Sequence, residues 1–327
     1  MSRLLRMLLK DKVRLVVVAA MLAVAVVVPL FLNVFWMSVV IQILIFGLFA
    51  LSHDLLIGHT GLLPLGHAAF FTVAAYTTAI LQVNYEQPVV VAAVSGLAAG
   101  AILGVLFGFA VRTSGVYFIL LTLALGLVVW GLAHRWSAFT GGDNGIVGID
   151  PPILFGVDFS ILNNYYYFVL VAVAVCVFLF WLVVISPFGL TLRGIRENED
   201  RMRSFGYRVQ IHKFAAFVMS GSLAGVAGVL YVYWNKFISP AAGTFSRSAE
   251  AVLMVIIGGT GTLTGPFVGA AVIVLVRNQL SAYVDRYMTV MGLIFIFTAV
   301  FATQGVVGAL KRFRRQNTVD HHGEATG

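Results

Sequence analysis

The chain has 327 residues, 60% hydrophobic and 10% charged, more apolar surface than one soluble core of this length hides. That excludes an ordinary soluble enzyme. The net charge of +8 does not point to nucleic acid, because the basic residues flank long apolar runs and topology explains them.

Arg3, Arg6, Lys10, Lys12 and Arg14 precede the first apolar run, 15–32. They resemble the front of a signal peptide, but no small-residue cleavage site follows convincingly, so a retained span after a basic N-terminus (1–14) is expected. Further spans are expected over 34–51, 66–81, 89–111, 116–133, 165–185 and 214–234, each close to the length that crosses roughly 30 Å of hydrocarbon. Two short apolar pieces, 251–261 and 263–276, flank a glycine-rich break, and a last run covers 287–303. The fold class is an all-α polytopic membrane protein of ten segments, some broken or re-entrant, over 15–310, with a tail at 311–327. Cys176 is the single cysteine, so no internal disulfide and no cysteine-based zinc site is available.

Lysine and arginine set the orientation. With the N-terminus cytoplasmic, sixteen of the 21 basic residues fall in inside segments. Arg135, Lys236, Arg247, Arg277 and Arg286 are left outside, where Asp143, Asp150 and Asp158 mark a long loop, 134–164. The basic tail stays inside only if 251–276 crosses twice or re-enters, so both termini are expected in the cytoplasm.

The cytoplasmic segment 186–213 contains RGIRENEDRMRSFGYRVQIHK. Glu197 and Arg201 are four apart, as are Glu199 and Arg203, which suits a helix under the membrane ended by Gly206. The same pattern also suits a solvated loop held to lipid headgroups by its arginines.

Two interrupted motifs follow a common pattern. GHTGLLPLGHAAF carries Gly58, Thr60, Gly61, Pro64 and Gly66; GGTGTLTGPFVGA carries Gly258, Gly259, Thr260, Gly261, Gly265 and Pro266. Unwound backbone in a membrane is tolerated where protein or a water-filled cavity satisfies it. These breaks are therefore candidates to line a pathway, the first entered from the cytoplasm and the second from outside as in an inverted repeat. The alternative is that glycine and proline only permit kinks. Gly96, Gly100, Gly104 and Gly108 form a smooth face for a neighbouring helix, and Gly221 with Gly225 a shorter one. His53, Asp54, His59 and His67 suit a proton relay or metal site, or hydrogen bonds to broken-helix backbone. The firm spans themselves carry no acidic residue, which weighs against ion-coupled transport. There is no Gly-rich Lys-Ser/Thr loop and no HExxH, so no ATP site or zinc protease site is expected in this chain.

Several stretches in order, GHTGLLPLGHAAFFTVAAY, RTSGVYFILLTLALG, TGGDNGIVGI, SPFGLTLRGIREN with RSFGY, and FISPAAGTFSRSAEAVLMVIIGGTGTLTGP, resemble the permease family of bacterial ABC importers for branched-chain amino acids, in its M-type branch. The resemblance implies a type II importer-like permease in the cytoplasmic membrane that forms half of a pathway for a small polar or amphipathic solute and performs no chemistry on it. It implies a second homologous permease, two cytoplasmic ATPases that bind the ATP, and an external substrate-binding protein. It also makes the segment from Arg196 to Gly206, with Glu197, Glu199 and Arg203, the helix that couples to the ATPase. Asp200, Arg201 and Met202 depart from the small residues usual in the family at this point, leaving an unusually charged docking surface. RENEDRMRSFGY is also similar to permeases for urea or short amides, which remain the alternative solutes. A secondary transporter, or an intramembrane enzyme acting on lipid, are the rival classes.

Overall fold

Asn33 opens the first described helix: its side-chain oxygen accepts from Trp36 N at 3.1 Å, satisfying a donor that the helix leaves free. In this computed structural model, which describes residues 29, 32–154, 156–283, 289, 292 and 293, that helix, α1, runs Val34–Thr60. Gly61 ends it with φ of 75°, a left-handed conformation that glycine adopts without steric cost. The expected span stopped at residue 51. The helix goes on because Ser52, His53 and Asp54, all fully buried, find partners in other parts of the chain. The firm spans therefore do contain a buried acidic residue, contrary to the sequence reading.

The chain continues as α2 (Ala68–Val83), α3 (Val89–Phe107, with a 3-10 turn Gly108–Arg112), α4 (Gly115–Arg135) and α5 (Leu162–Ile185). Then come two short helices, α6 (Pro187–Glu197) and α7 (Glu199–Ser204), followed by α8 (Val209–Asn235), α9 (Phe245–Gly258) and α10 (Gly265–Tyr283). Five of these, α1, α3 with its turn, α4, α5 and α8, are long and apolar enough to cross a membrane. The expected spans 15–32 and 287–303, the N-terminus 1–14 and the tail 311–327 lie all but wholly outside the described residues.

The bundle has two ends. At one end, Ile146 and Val147 pair antiparallel with Ile238 and Phe237, tying the 134–164 loop to the segment after α8. At the other lie α6, α7 and the start of α8. A 27-residue helix leads into each of two half-helices: α1, then extended residues 61–67, then the 16-residue α2; and α8, then residues 236–244, then the 14-residue α9. The two long helices run in opposite directions. The half-helices begin inside the bundle and meet there, where Ala68 N donates to Ser248 Oγ at 2.9 Å. At 1.5 Å per residue they are only about 24 and 21 Å long.

Residues 61–67 and 236–244 thus enter the bundle from opposite ends, the arrangement an inverted repeat produces, whereas the two glycine motifs do not. Both of those motifs follow a helix heading for the α6 end, so the expectation that they enter from opposite sides is corrected. Arg247 and Arg277, expected in outside segments, lie instead within α9 and α10.

Small residues set the helix spacing. A Cβ on Gly100 would stand 3.1 Å from Gly225 Cα, and one on Gly104 3.2 Å from Val218 Cα, so α3 and α8 touch through their backbones. Gly96 meets Thr78 and Ala74 of α2, and Gly108 meets the Phe214 ring. The smooth face expected from the four-residue spacing is therefore a packing face. The other sides of α3, α4 and α5 expose Ile102, Leu106, Leu120, Leu127, Val171 and Phe178, a surface suited to lipid.

Candidate functional site: a joint between two helix breaks

Ser186 caps α6, its hydroxyl accepting from Gly189 N at 3.4 Å with Pro187 at the first helical position. Leu192 and Ile195 are buried while Arg193 and Arg196 face outward, so α6 lies against the end of the bundle on its apolar side. Asn198 then interrupts the helix. Its extended backbone and its side-chain oxygen, 2.8 Å from Arg201 N, start α7 afresh. The expected pair Glu197 with Arg201 does not form, because a single continuous helix would be needed to align them.

Glu199 is the anchor of α7. Arg203 Nη2 donates to its Oε1 at 2.6 Å, and Lys213 Nζ, almost fully buried in the first turns of α8, donates to its Oε2. Burial pushes the Glu199 carboxyl up, but the bonds from Lys213 and Arg203 outweigh it and hold the group below the ordinary glutamate range. Gly206, at φ of 85°, closes the turn, with Gly206 N donating to Arg203 O and Tyr207 N to Met202 O. The sign of the pH dependence follows from the lowered value. The anchor is complete above the unfolded glutamate pKa of about 4.3 and is lost as pH falls through the lower folded value. A spin label at Arg201→Cys in a Cys176→Ala background should show a mobile component only below about pH 4. Mobility already rising at pH 5 to 6 would contradict the anchor.

The two glycine motifs and α6 converge on one point. Arg196 Nη1 donates to Gly58 O, and a Cβ at Gly61 would lie 3.3 Å from Arg196 Cγ. Asp54 Oδ1 accepts from Gly261 N at 2.8 Å, and Arg196 is close enough for its charge to act on Asp54. A Cβ on Gly58 would stand 2.3 Å from Asp54 Oδ1 and 2.4 Å from Gly261 N. The second break is folded by Gly259 and Gly261, with φ of 105° and 71°, and a Cβ on Gly258 would fall 1.8 Å from Gly265 O. Thr262 Oγ1 closes the turn by donating to Gly259 O and accepting from Gly265 N. Thr260 sits at the tip of this turn, and Pro266 is the second residue of α10. One arginine of α6 thus bonds the end of α1 and stands beside the break between α9 and α10, where a Cβ on Gly261 would lie 3.6 Å from its Nη1.

The unwound residues 61–67 climb into the bundle with their backbone satisfied by side chains. His53 Nε2 donates to Pro64 O at 2.8 Å, and Leu65 N donates to Thr122 Oγ1 at 3.2 Å. Gly66 lets the strand touch α4, since a Cβ there would collide with Thr122 O. Ser52 and Ser220 both give their hydroxyl protons to carbonyls, so His67 Nε2–H donates to the two oxygens at 3.0 and 3.3 Å. His59 turns to Asp54 O and the Phe180 ring. Among the described residues no three His, Cys, Asp or Glu side chains are grouped to hold a metal ion. Of these histidines His53 bonds the broken backbone, His67 ties Ser52 of α1 to Ser220 of α8, and His59 bonds within α1.

The family model described as "Branched-chain amino acid transport system / permease component" matches residues 35–299. The chain belongs to this family. Its relatives include the high-affinity branched-chain amino acid transport system permease protein LivM of Escherichia coli (strain K12), 29% identical over 88% of this chain and 73% of the relative. A probable branched-chain amino acid transport permease protein LivM of Methanocaldococcus jannaschii is 30% identical over 38% of this chain and 36% of its own. The autoinducer 2 import system permease protein LsrC of Escherichia coli O9:H4 is 26% identical over 72% of this chain and 70% of its own. No solved structure matches.

In this membrane permease, the sequence marked the breaks and the α6–α7 segment separately and missed that they form one joint. Asp54 and Lys213 were the signals available. A charge at the edge of an apolar run needs a partner, and both find theirs across the joint.

Proposed function

We infer that this chain is the permease subunit of an ABC importer for branched-chain amino acids, forming half of the pathway beside a second homologous permease. Two cytoplasmic ATPases bind the ATP, and an external binding protein delivers the solute. The observation that carries the reading is the place of Arg196, on the exposed and charged α6–α7 segment, bonded to Gly58 O at the first break and beside Gly261 of the second. A push on α6 from below is transmitted to α1 and to the α9–α10 turn together. The family match and the LivM relatives support the solute class, and the basic character of the α6 end supports its cytoplasmic placement. Eight described helices, α1–α5 and α8–α10, with the expected spans 15–32 and 287–303 give ten segments and two cytoplasmic termini in a bacterial cytoplasmic membrane.

The test is reconstitution of the permease with its second permease, ATPases and binding protein in vesicles. Leucine, isoleucine or valine should be taken up on ATP addition, and the binding protein should release those solutes and not urea. ATP-dependent uptake of urea or a short amide alone would replace the solute, and uptake driven by an ion gradient without ATP would overturn the class. In the same vesicles, cysteines replacing Arg196 and Asp143 in a Cys176→Ala background should label from opposite sides. Labelling from the same side would refute the topology.

A further inference from the structure

Three charged side chains lie in the middle of the bundle. Arg247 Nη1 is 3.0 Å from Glu250 Oε2, and Arg277 Nη1 is 3.6 Å from the same oxygen. Both guanidinium groups stand on the ring of Phe46, 5.1 and 5.0 Å from its centroid, and Arg277 Nη2 donates to Gln42 Oε1 at 3.3 Å. Phe46 lies near the centre of the 27-residue α1, so the cluster sits about 20 Å along the helix from each end. Among the described residues no other charged side chain lies at this depth: Asp54 and Lys213 belong to the joint, and the rest to the two ends.

The cluster is not sealed. The side chains of Arg247, Glu250 and Arg277 remain 18%, 22% and 19% exposed at the surface of this chain. Ion-paired groups at mid-membrane face a protein interface or a water-filled cavity, since hydrocarbon penalises them heavily. The face made by α1, α9 and α10 is therefore the one turned away from lipid, in contrast to the exposed aliphatic sides of α3, α4 and α5.

We propose that Arg247, Glu250 and Arg277 form a mid-membrane site for the zwitterionic head of an α-amino acid, on the wall of the translocation pathway. This rests on reading the chain as an importer permease. The guanidinium groups receive the carboxylate through paired N–H donors, and Glu250 receives the ammonium group. Arg247 is in the first turn of α9, whose N-terminus starts within the bundle beside that of α2. Two helix dipoles thus add positive potential on the carboxylate side. The ring of Phe46, fully buried and packed on Tyr231, holds the two guanidinium groups in place. A neutral urea or amide would leave the charged cluster without complementary charge, so the site selects amino acids.

The reconstituted importer tests this. Arg247→Gln and Arg277→Gln should each lower leucine uptake at least tenfold while ATP hydrolysis stimulated by loaded binding protein stays within twofold of wild type. Arg277→Lys should recover part of the uptake. Uptake within twofold of wild type in both glutamine variants overturns the site, and so does a parallel fall of uptake and stimulated hydrolysis, which marks a structural role. As a measurement that needs no transport, Arg247→Cys in a Cys176→Ala background should react with a membrane-impermeant cationic thiol reagent in the assembled complex. Loading with leucine should slow that reaction, and absence of reaction overturns the proposal. If the wild-type complex takes up no amino acid at all, the functional reading fails first, which separates the two outcomes.

Discussion

Exchanging Gly58 for valine is expected to reduce solute-stimulated ATP hydrolysis and uptake together by at least tenfold, while the external binding protein keeps its solute affinity. The would-be Cβ meets Asp54 Oδ1 at 2.3 Å and the Gly261 backbone at 2.4 and 2.7 Å, and backbone does not yield as a flexible side chain does. Overpacking of this kind costs about 1–3 kcal/mol. The separation also breaks the bond from Gly261 N to Asp54 and displaces Gly58 O from Arg196. Hydrogen bonds to charged groups contribute about 1.5–3 kcal/mol each, and about 1.4 kcal/mol already shifts an equilibrium tenfold. Alanine at Gly131, where a Cβ meets nothing within 4 Å, is the matched control and should behave as wild type. Full stimulated hydrolysis in the valine variant would show that the joint does not transmit the motion.

Leucine at Gly100 is expected to lower the yield of intact complex in detergent at least fivefold. Its first carbon already lies 3.1 Å from Gly225 Cα and 3.5 Å from Gly221 O, so the rest of the side chain forces α3 and α8 apart. In lipid no hydrophobic drive rewards a looser arrangement, and the association rests on close packing. Alanine at the same position needs a shift of only a few tenths of an ångström and should be tolerated much better. Complex that survives with leucine at both Gly100 and Gly104 would refute the packing role of this face.

The residue order alone makes the membrane character, most of the helices and the family legible. Long apolar runs bounded by charges have one physical solution in lipid, and the spacing of Gly96, Gly100 and Gly104 states its own packing face. It also located both breaks and the Gly206 turn, because glycine at positive φ leaves a local signature. Which polar groups satisfy one another is visible only once the chain is folded. α1 extends past residue 51 through Ser52, His53 and Asp54 because Pro64, Gly261 and Ser220 supply partners from distant parts of the chain. Apolar periodicity carries no record of such partners. Glu197 stays unpaired with Arg201 because Asn198 caps a new helix, a choice between two local hydrogen-bond patterns that spacing alone leaves open. Arg247 and Arg277 looked like loop residues because charge argues against a membrane interior; Glu250 and the Phe46 ring reverse that argument by pairing them at mid-depth. Burial of charge is a property of pairs, and the chain order does not state the pairs.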